Sequence, residues 1–340
     1  MTSPNLFEPV EGQWLLENYI PSPTWVVEGY IPCGLTIFAA APKSGKTWNM
    51  MALAVAVCAG TDFMGYRTVK GEVIYLALED TKKRFQARLQ ALTDEVEGLY
   101  VLNAIPRIGD GFEEELESLL DRYPKTTLVI VDTLQKVRSQ FANKGVYAAD
   151  YDDAGAIKAI ADTRGIAIVA VHHTRKDDAG DPFARVSGSN GLTGAADGTI
   201  VITPSRSSHD RFTFDVTGRD VERTKITAVF SGGSWSVVEK LGSREIAERA
   251  VPNEAKAAAD YLLSLGTESW GGSASDLMEA AGIEAVRPNV FSKKLNESRS
   301  YLAERGIVYE LVRTNSKRML EVRIRARRDD SDDGDANAGI

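Results

Sequence analysis

Cysteine, histidine and long apolar runs are all scarce in this 340-residue chain. Its two cysteines, Cys33 and Cys58, lie too far apart for a metal-binding pair. The longest apolar run, residues 50–60, is shorter than a bilayer requires. The opening MTSPNLFEPVEGQW has neither the basic start nor the apolar core of an export signal. These absences predict a cytoplasmic protein with no membrane segment and no disulfide.

Charge is unevenly placed along the chain. The net charge is −8, yet residues 287–328 carry 12 Lys/Arg against 4 Asp/Glu. A local basic segment says more about partners than the overall sign does. The last residues, 327–340, are rich in Asp and lack side chains able to build a core, so we expect a disordered acidic tail.

Short β-rich runs alternate with helical stretches from residue 34 to about 175, as in an α/β domain. After that, four strands near 198–239 follow one another without helices, which predicts an antiparallel flank on a parallel sheet. The predicted parts are an N-terminal arm at 1–23, an ATPase domain at 24–242, a linker at 243–253, a second domain at 254–326 and the tail.

The second domain has the pattern of three helices followed by a hairpin around Asn315-Ser316-Lys317. This is the plan of a winged helix, a variant of the helix-turn-helix. Its third helix, expected over PNVFSKKLNESRSYLAERG, carries basic residues at spacings that can share one face. These residues are Lys293, Lys294 and Arg299.

Residues 40–47, AAPKSGKT, lie between a predicted strand and a predicted helix, the context of a phosphate-binding P-loop. Backbone N–H groups would cradle phosphates, Lys46 would bind the β- and γ-phosphates, and the Thr47 hydroxyl would bind Mg²⁺. Ala40 replaces the motif's usual first glycine. The predicted nucleotide-binding residues are Ala41, Pro42, Lys43, Ser44, Gly45, Lys46 and Thr47, together with Asp132.

Two acidic residues follow buried strands. Asp132 ends LVIVD, and a carboxylate at the tip of a parallel strand points into the crevice where nucleotides bind, so it is a second candidate for Mg²⁺. Glu79 follows EVIYLAL and is the candidate that orients the attacking water. The neighbouring Asp80 fits a helix cap instead.

Basic and imidazole groups complete the candidate site. His172 and His173 end a strand where one of them can contact the γ-phosphate, while a hydrogen-bonded structural role is the alternative for each. Arg219 is placed to reach a neighbouring subunit's γ-phosphate as an arginine finger, or to form a surface ion pair. The Gly/Ser-rich segment 174–196 suits a loop that grips a nucleic-acid backbone. Its basic residues are Arg175, Lys176 and Arg185.

Several segments occur together in one order: TWVVEGYIPCGLTIFAAAPKSGKT, VIYLALED, LVIVDTLQKVR, VHHTRK, SGSNGLTGAADGTIVI and VTGRDVE. Together they resemble the RepA-type replicative helicases of plasmids and phages, a branch of the RecA-like ATPases related to DnaB. The resemblance covers about residues 24–240. It implies a RecA-like core in a hexameric ring that moves along single-stranded DNA.

By this resemblance, each candidate falls on a functional position of the family. Lys46 and Thr47 fall on the P-loop positions, Glu79 on the catalytic glutamate and Asp132 on the Walker B aspartate. The histidine pair falls on the γ-phosphate sensor, with His173 preferred over its neighbour. Arg219 falls on the finger that reaches into the adjoining subunit.

The sequence therefore predicts a RecA-like α/β core, with a mainly parallel sheet and an antiparallel flank, followed by a winged helix. We expect a homohexameric ATP- and Mg²⁺-dependent helicase of a mobile element, acting on single-stranded DNA. A non-unwinding ATPase switch, such as a helicase loader or recombination mediator, stays open. So does a regulator that binds an origin or operator duplex through the winged helix, and a primase or initiator partner.

Overall fold

A computed structural model describes residues 9–19, 24–139, 146–175, 181–186, 190–205, 208–313 and 318–325. The chain divides into two compact units, Met1–Ser243 and Arg244–Ile340. The predicted acidic tail at 327–340, Lys176 and the predicted hairpin turn at 315–317 lie outside the described residues.

The first unit is an α/β domain. Its elements in chain order are α1 Gly12–Glu17, β1 Trp25–Val27, β2 Ile31–Pro32, β3 Gly34–Ala40, α2 Lys46–Ala59, β4 Glu72–Ala77, α3 Lys82–Leu92, β5 Leu99–Leu102, α4 Phe112–Arg122, β6 Thr126–Asp132, α5 Leu134–Val137, α6 Val146–Arg164, β7 Ala167–His173, a 3-10 turn Phe183–Arg185, α7 Asn190–Ala195, β8 Gly198–Pro204, β9 Arg211–Gly218, β10 Thr224–Ser231 and β11 Ser234–Leu241.

One nine-stranded sheet organises the described part of this unit, in the order β11-β10-β9-β8-β3-β7-β6-β4-β5. The six strands from β8 to β5 run parallel. Strands β9, β10 and β11 continue the sheet antiparallel. The predicted parallel core with an antiparallel flank is confirmed. Parallel strands are covered on both faces, which is why β3 is buried along its whole length.

Helices cover both faces of the sheet. On one face, α2 and α3 pack over side chains such as Phe38, Tyr75 and Phe214. On the other face, α4 and α6 pack over Leu35, Ile74 and Val129. The predicted helices therefore lie where alternating strand residues need apolar cover.

Local chemistry sets the first turn of α3. The Thr81 side chain accepts a hydrogen bond from the Arg84 backbone N–H at 3.3 Å, which satisfies one of the helix's unpaired donors. The cap is therefore Thr81, whereas the sequence favoured Asp80. The Asp80 carboxylate instead forms ion pairs with Arg84 and Arg88.

The second unit contains α8 Ser243–Ala250, α9 Asn253–Ser264, β12 Ser269–Gly272, α10 Ala274–Ala280, α11 Pro288–Glu297, α12 Arg299–Glu304, β13 Ile307–Arg313 and β14 Arg318–Ile324. Its antiparallel sheet has the order β12-β14-β13. Helices and sheet close a core that includes Leu277, Phe291 and Val322. The predicted pairing of the last two strands is confirmed.

Two details of this region differ from the prediction. The segment read as a linker contains helix α8. The expected long third helix is two helices, because the chain leaves helical geometry at Ser298, whose φ is −100° and ψ 16°. The Ser298 hydroxyl donates to the Lys294 carbonyl at 2.8 Å, which satisfies an acceptor at the end of α11.

The N-terminal segment 9–19 forms the short helix α1, and large apolar side chains on it are exposed, among them Leu16 and Tyr19. No helix within the described residues has the length and apolar character needed to cross a membrane.

Asp197 anchors the edge of the sheet where β3 and β8 begin. Its carboxylate accepts the Leu35 backbone N–H at 2.9 Å and pairs with Lys158 of α6. A Cβ on Gly34, where φ is +108°, would collide with that carboxylate, so the backbone approaches it only as glycine.

Replacing Asp197 by alanine is expected to lower the free energy of unfolding by about 2–3 kcal/mol, because a buried N–H and a lysine lose their acceptor. Urea unfolding measures this. The matched control is Asp162→Ala, because Asp162 is an exposed partner of the same Lys158 and should cost less than about 0.5 kcal/mol. Equal losses in the two variants would contradict the anchoring role.

Candidate nucleotide site

Strand direction brings the predicted site residues to one edge of the sheet. Strands β3, β4, β6 and β7 are parallel, so their carboxyl ends meet. In the register, Ala40 pairs with His173 and Ala77 pairs with Asp132. The P-loop begins one residue beyond the end of β3, and Glu79 lies two residues beyond the end of β4. This edge is the candidate site.

The P-loop turn requires glycine at Gly45. This residue precedes α2 with φ +80° and ψ 11°, a left-handed conformation. A Cβ there would also lie 3.2 Å from Cζ2 of Trp235. Ser44 donates its hydroxyl to the Ala41 carbonyl at 2.6 Å, which fixes the start of the turn. The unpaired N–H groups at the start of α2 make an anion-binding cradle.

Lys46 is held inside the loop that it serves. Its Nζ donates to the carbonyls of Ala41 at 2.9 Å and Ala40 at 3.3 Å. It also lies 3.3 Å from Nδ1 of His173. Burial lowers the pKa of Lys46, while the charges of Asp132 and Glu79 act in the opposite direction. The ammonium group is therefore gathered with the acidic and imidazole groups at the same edge.

Asp132 is a buried carboxylate with two hydroxyl partners. The Tyr75 hydroxyl donates to its Oδ2 at 2.9 Å. Burial raises the pKa of Asp132, and hydrogen bonds from Tyr75 and Thr47 lower it. The hydroxyl of Thr47 and the carboxylate of Asp132 thus lie side by side. Two hard oxygen donors beside a phosphate cradle fit Mg²⁺, which takes one or two protein oxygens and the substrate phosphates.

Glu79 is oriented by its neighbours on two strands. The Thr133 hydroxyl donates to Glu79 Oε1 at 3.2 Å. The Asn103 side-chain amide donates to the carbonyls of Ala77 at 3.1 Å and Asp80 at 3.0 Å, which fixes the turn after β4. Asp80 is held away by arginines of α3, so Glu79 is the acid of this pair that faces the site.

The two histidines separate by strand alternation. His173 is partly buried on the same face as Ala40 and contacts Lys46. Burial lowers the pKa of His173, and the charge of Lys46 lowers it further. At neutral pH the ring is therefore uncharged and can accept a hydrogen bond from the lysine. His172 is buried on the opposite face of the strand, so only His173 joins the cluster.

Arg219 lies at the opposite edge of the sheet. It follows β9, whose last residue Gly218 pairs with Gly198 at the start of β8. Its backbone N–H donates to the Asp197 carbonyl at 2.9 Å, and its Nη1 lies 3.9 Å from the Asp197 carboxylate. The guanidinium is more than half exposed. Within one chain it is therefore separated from the P-loop by the length of the sheet.

The basic segment after β7 begins at the nucleotide edge. Arg175 is exposed, and its backbone N–H donates to the Arg185 carbonyl at 2.8 Å. Arg185 is partly buried near Asp215, whose pKa burial raises while the charges of Lys225, Arg223 and Arg185 lower it. Arg175 thus presents its side chain to solvent more fully than Arg185 does.

Two exposed tyrosines lie on the first turns of α6. Tyr147 and Tyr151 stack with an interplanar angle of 11° and ring centroids 6.4 Å apart. They are 57% and 50% exposed. Because α6 carries the chain from the end of β6 back to the start of β7, its first turns lie toward the nucleotide edge. Ion pairs of Arg138 with Asp150 and Asp153 fix this end of the helix.

The three basic residues of the second unit do not share one helix face. Lys294 Nζ forms an ion pair with Glu254 at 2.6 Å. Arg299 belongs to α12 and places its guanidinium 4.9 Å from the ring centre of Tyr309. Lys293 is exposed beside Glu297, at 3.8 Å. The predicted shared face is wrong because the helix breaks at Ser298.

Sequence reasoning missed several supporting residues. Tyr75, Thr133 and Asn103 touch the site only through hydrogen bonds between strands. A signal existed for Thr133, since it directly follows Asp132. The partnership of Tyr75 with Asp132 required knowing that β4 and β6 are neighbours.

A phosphate cradle at a helix start, with a lysine, a threonine and a buried aspartate around it, defines a P-loop nucleotide-binding protein. In agreement, residues 3–179, just over half of the chain, match the family model described as AAA domain. The chain belongs to this family.

A solved structure gives the same fold. The ATPase domain of another protein matches with a TM-score of 0.51 and 15% identity, over 61% of this chain and 85% of that one. At this identity the match concerns the fold, an α/β fold with a mostly parallel sheet of the RecA-like kind. No curated protein matches the chain.

Proposed function

We propose that this protein is an ATP-hydrolysing motor on single-stranded DNA, a ring-forming replicative helicase of a mobile element. One observation carries the proposal. The P-loop lysine Lys46 contacts His173, and the same strand continues within two residues to the exposed Arg175. A group that touches the phosphate site thus lies next to a basic segment suited to a nucleic-acid backbone.

The residues of the nucleotide edge divide the work of hydrolysis. Lys46 and the loop N–H groups bind the phosphates, while Thr47 and Asp132 would hold Mg²⁺. Glu79, kept in place by Thr133, orients the attacking water. When bound, Mg²⁺ neutralises charge on the β- and γ-phosphates. His173 exchanges its contact with Lys46 according to whether the lysine is engaged by phosphate.

The position of Arg219 supports an assembly with nucleotide between subunits. A guanidinium at the far edge of the sheet cannot serve its own P-loop, but it can serve that of a neighbour. A head-to-tail contact of this kind generates a closed ring when the rotation closes. We propose a homohexamer on this ground.

Single-stranded DNA is proposed to bind at the nucleotide edge. Tyr147 and Tyr151 offer stacked rings for bases, and Arg175 and Arg185 offer charge for the backbone. His172 would support β7 from its buried face. Lys176, proposed for the same surface, lies outside the described residues.

The second unit is proposed to be a winged helix that meets duplex DNA, with domain bounds of 254–326. The order α9, β12, α10, α11, α12 and the β13–β14 hairpin supports this plan. Lys293 is the exposed basic residue of the proposed helix face. Because Lys294 and Arg299 have partners within the unit, a protein partner such as a primase or initiator competes with duplex DNA for this role.

Steady-state ATP hydrolysis with and without single-stranded DNA tests the motor. We expect strong stimulation by DNA, and none in Lys46→Ala. The double variant Tyr147→Ala/Tyr151→Ala is expected to lose most of the stimulation and keep basal turnover, because stacking contributes about 1–3 kcal/mol per base.

The matched control is Tyr147→Phe/Tyr151→Phe, which keeps the rings and should keep the stimulation. Hydrolysis by the wild type that is indifferent to DNA would reject the motor and favour an ATPase switch. Stimulation followed by strand displacement would establish the helicase.

A further inference from the structure

Trp48 is a large aromatic residue on the first turn of the P-loop helix. It directly follows Thr47, and its indole ring is partly exposed. The guanidinium of Arg88 lies over one side, 5.9 Å from the ring centre, and is itself held by Asp80. An indole at this place is supported by its neighbours and still reaches solvent.

The β10–β11 hairpin brings further aromatic rings to the same place. Phe230 lies 5.7 Å from Trp48, and Trp235 lies 4.8 Å from Phe230, between ring centres. The hairpin turn approaches so closely that a Cβ on Gly233 would lie 3.4 Å from Cζ3 of Trp48. Trp235 also lies against the P-loop at Gly45. We call Trp48, Phe230 and Trp235 the aromatic shelf.

Position relates the shelf to the nucleotide. Lys46, Asp132, Glu79 and His173 gather where the terminal phosphates must lie, at the carboxyl ends of the parallel strands. The nucleoside must leave the loop away from this cluster. The start of α2, where the α-phosphate is cradled, is the other side of the loop, and the shelf lies beside it.

We propose that the aromatic shelf is the subsite for the base of the bound nucleotide, with Trp48 as the stacking surface. The inference rests on the proposed nucleotide-binding function and adds to it the base-binding residues. Stacking on ring faces accepts every base, because every base has a π-face. The shelf therefore binds ATP and GTP alike, and it adds affinity that a bare polyphosphate cannot gain.

Isothermal titration of the full chain with Mg²⁺ compares ATP with inorganic tripolyphosphate, which has the phosphates and lacks the base. Trp48→Ala is expected to raise the Kd for ATP about tenfold, since loss of base–aromatic stacking has about that effect. The Kd for tripolyphosphate should stay unchanged. Trp48→Phe should recover most of the affinity for ATP.

Val238→Ala is the matched control, because Val238 is an exposed apolar residue on the same hairpin, and it should leave both ligands unaffected. Equal weakening of ATP and tripolyphosphate by Trp48→Ala would show that the indole only shapes the P-loop. No change for either ligand would place the base elsewhere. Failure of the wild type to bind tripolyphosphate would instead reject the P-loop function itself.

Discussion

Glu79→Gln is expected to lower the turnover number for ATP hydrolysis by about 10²–10⁴-fold while ATP binding is kept. The amide has nearly the same shape and still accepts the hydrogen bond from Thr133, but it cannot take a proton from water. The hydrogen bond of the carboxylate goes to Thr133, outside the phosphate cradle, so its loss affects the transition state rather than the bound substrate. Single-turnover hydrolysis and a separate measurement of ATP affinity distinguish the two effects.

Asp80→Asn is the matched control for this variant. Asp80 is the adjacent acid, and its partners are Arg84 and Arg88 of α3. Its substitution should change turnover only a few-fold, through the position of the turn. A larger loss in Asp80→Asn than in Glu79→Gln would exchange the two assignments. Thr133→Val should give an intermediate loss, because the glutamate remains and its orientation is freed.

The sequence predicts the parts of the site that are local in the chain. The P-loop, Asp132 and Glu79 each follow a short apolar run, and such runs are recognisable without knowing their neighbours. The common edge of the sheet then follows from parallel pairing alone. For this reason the positions of Lys46 and His173 at one edge could be expected before any coordinates.

The remaining features depend on which strands are neighbours. The Tyr75–Asp132 hydrogen bond needs β4 beside β6, and the aromatic shelf needs the β10–β11 hairpin to reach back to α2. Neither arrangement is written in a local pattern. Ser298 shows a different limit: helical periodicity continues through 288–304, and a single side-chain-to-carbonyl bond accompanies the end of α11. Helix α8 was missed because a polar, charged segment resembles a linker.

Arg219→Ala is expected to lower turnover by about 10³-fold or more in the assembled protein, the range in which arginine fingers act. The side chain lies at the far edge of the sheet, so nucleotide binding by the P-loop of the same chain should be kept. Arg223→Ala is the matched control, because Arg223 lies four residues away with its guanidinium over the ring of Phe183. That variant should change turnover little.

Mixing two inactive variants tests whether Arg219 acts between subunits. Lys46→Ala has no working P-loop, and Arg219→Ala has no finger, so each alone should be inactive. In a mixed ring, an intact P-loop of the Arg219→Ala chain can meet an intact Arg219 of the Lys46→Ala chain. Random assembly from equal amounts makes about a quarter of the interfaces complete, and turnover should recover to at most that fraction. A mixture that stays inactive while mixed assemblies are shown to form would reject the finger, and Arg219 would then be a structural partner of Asp197.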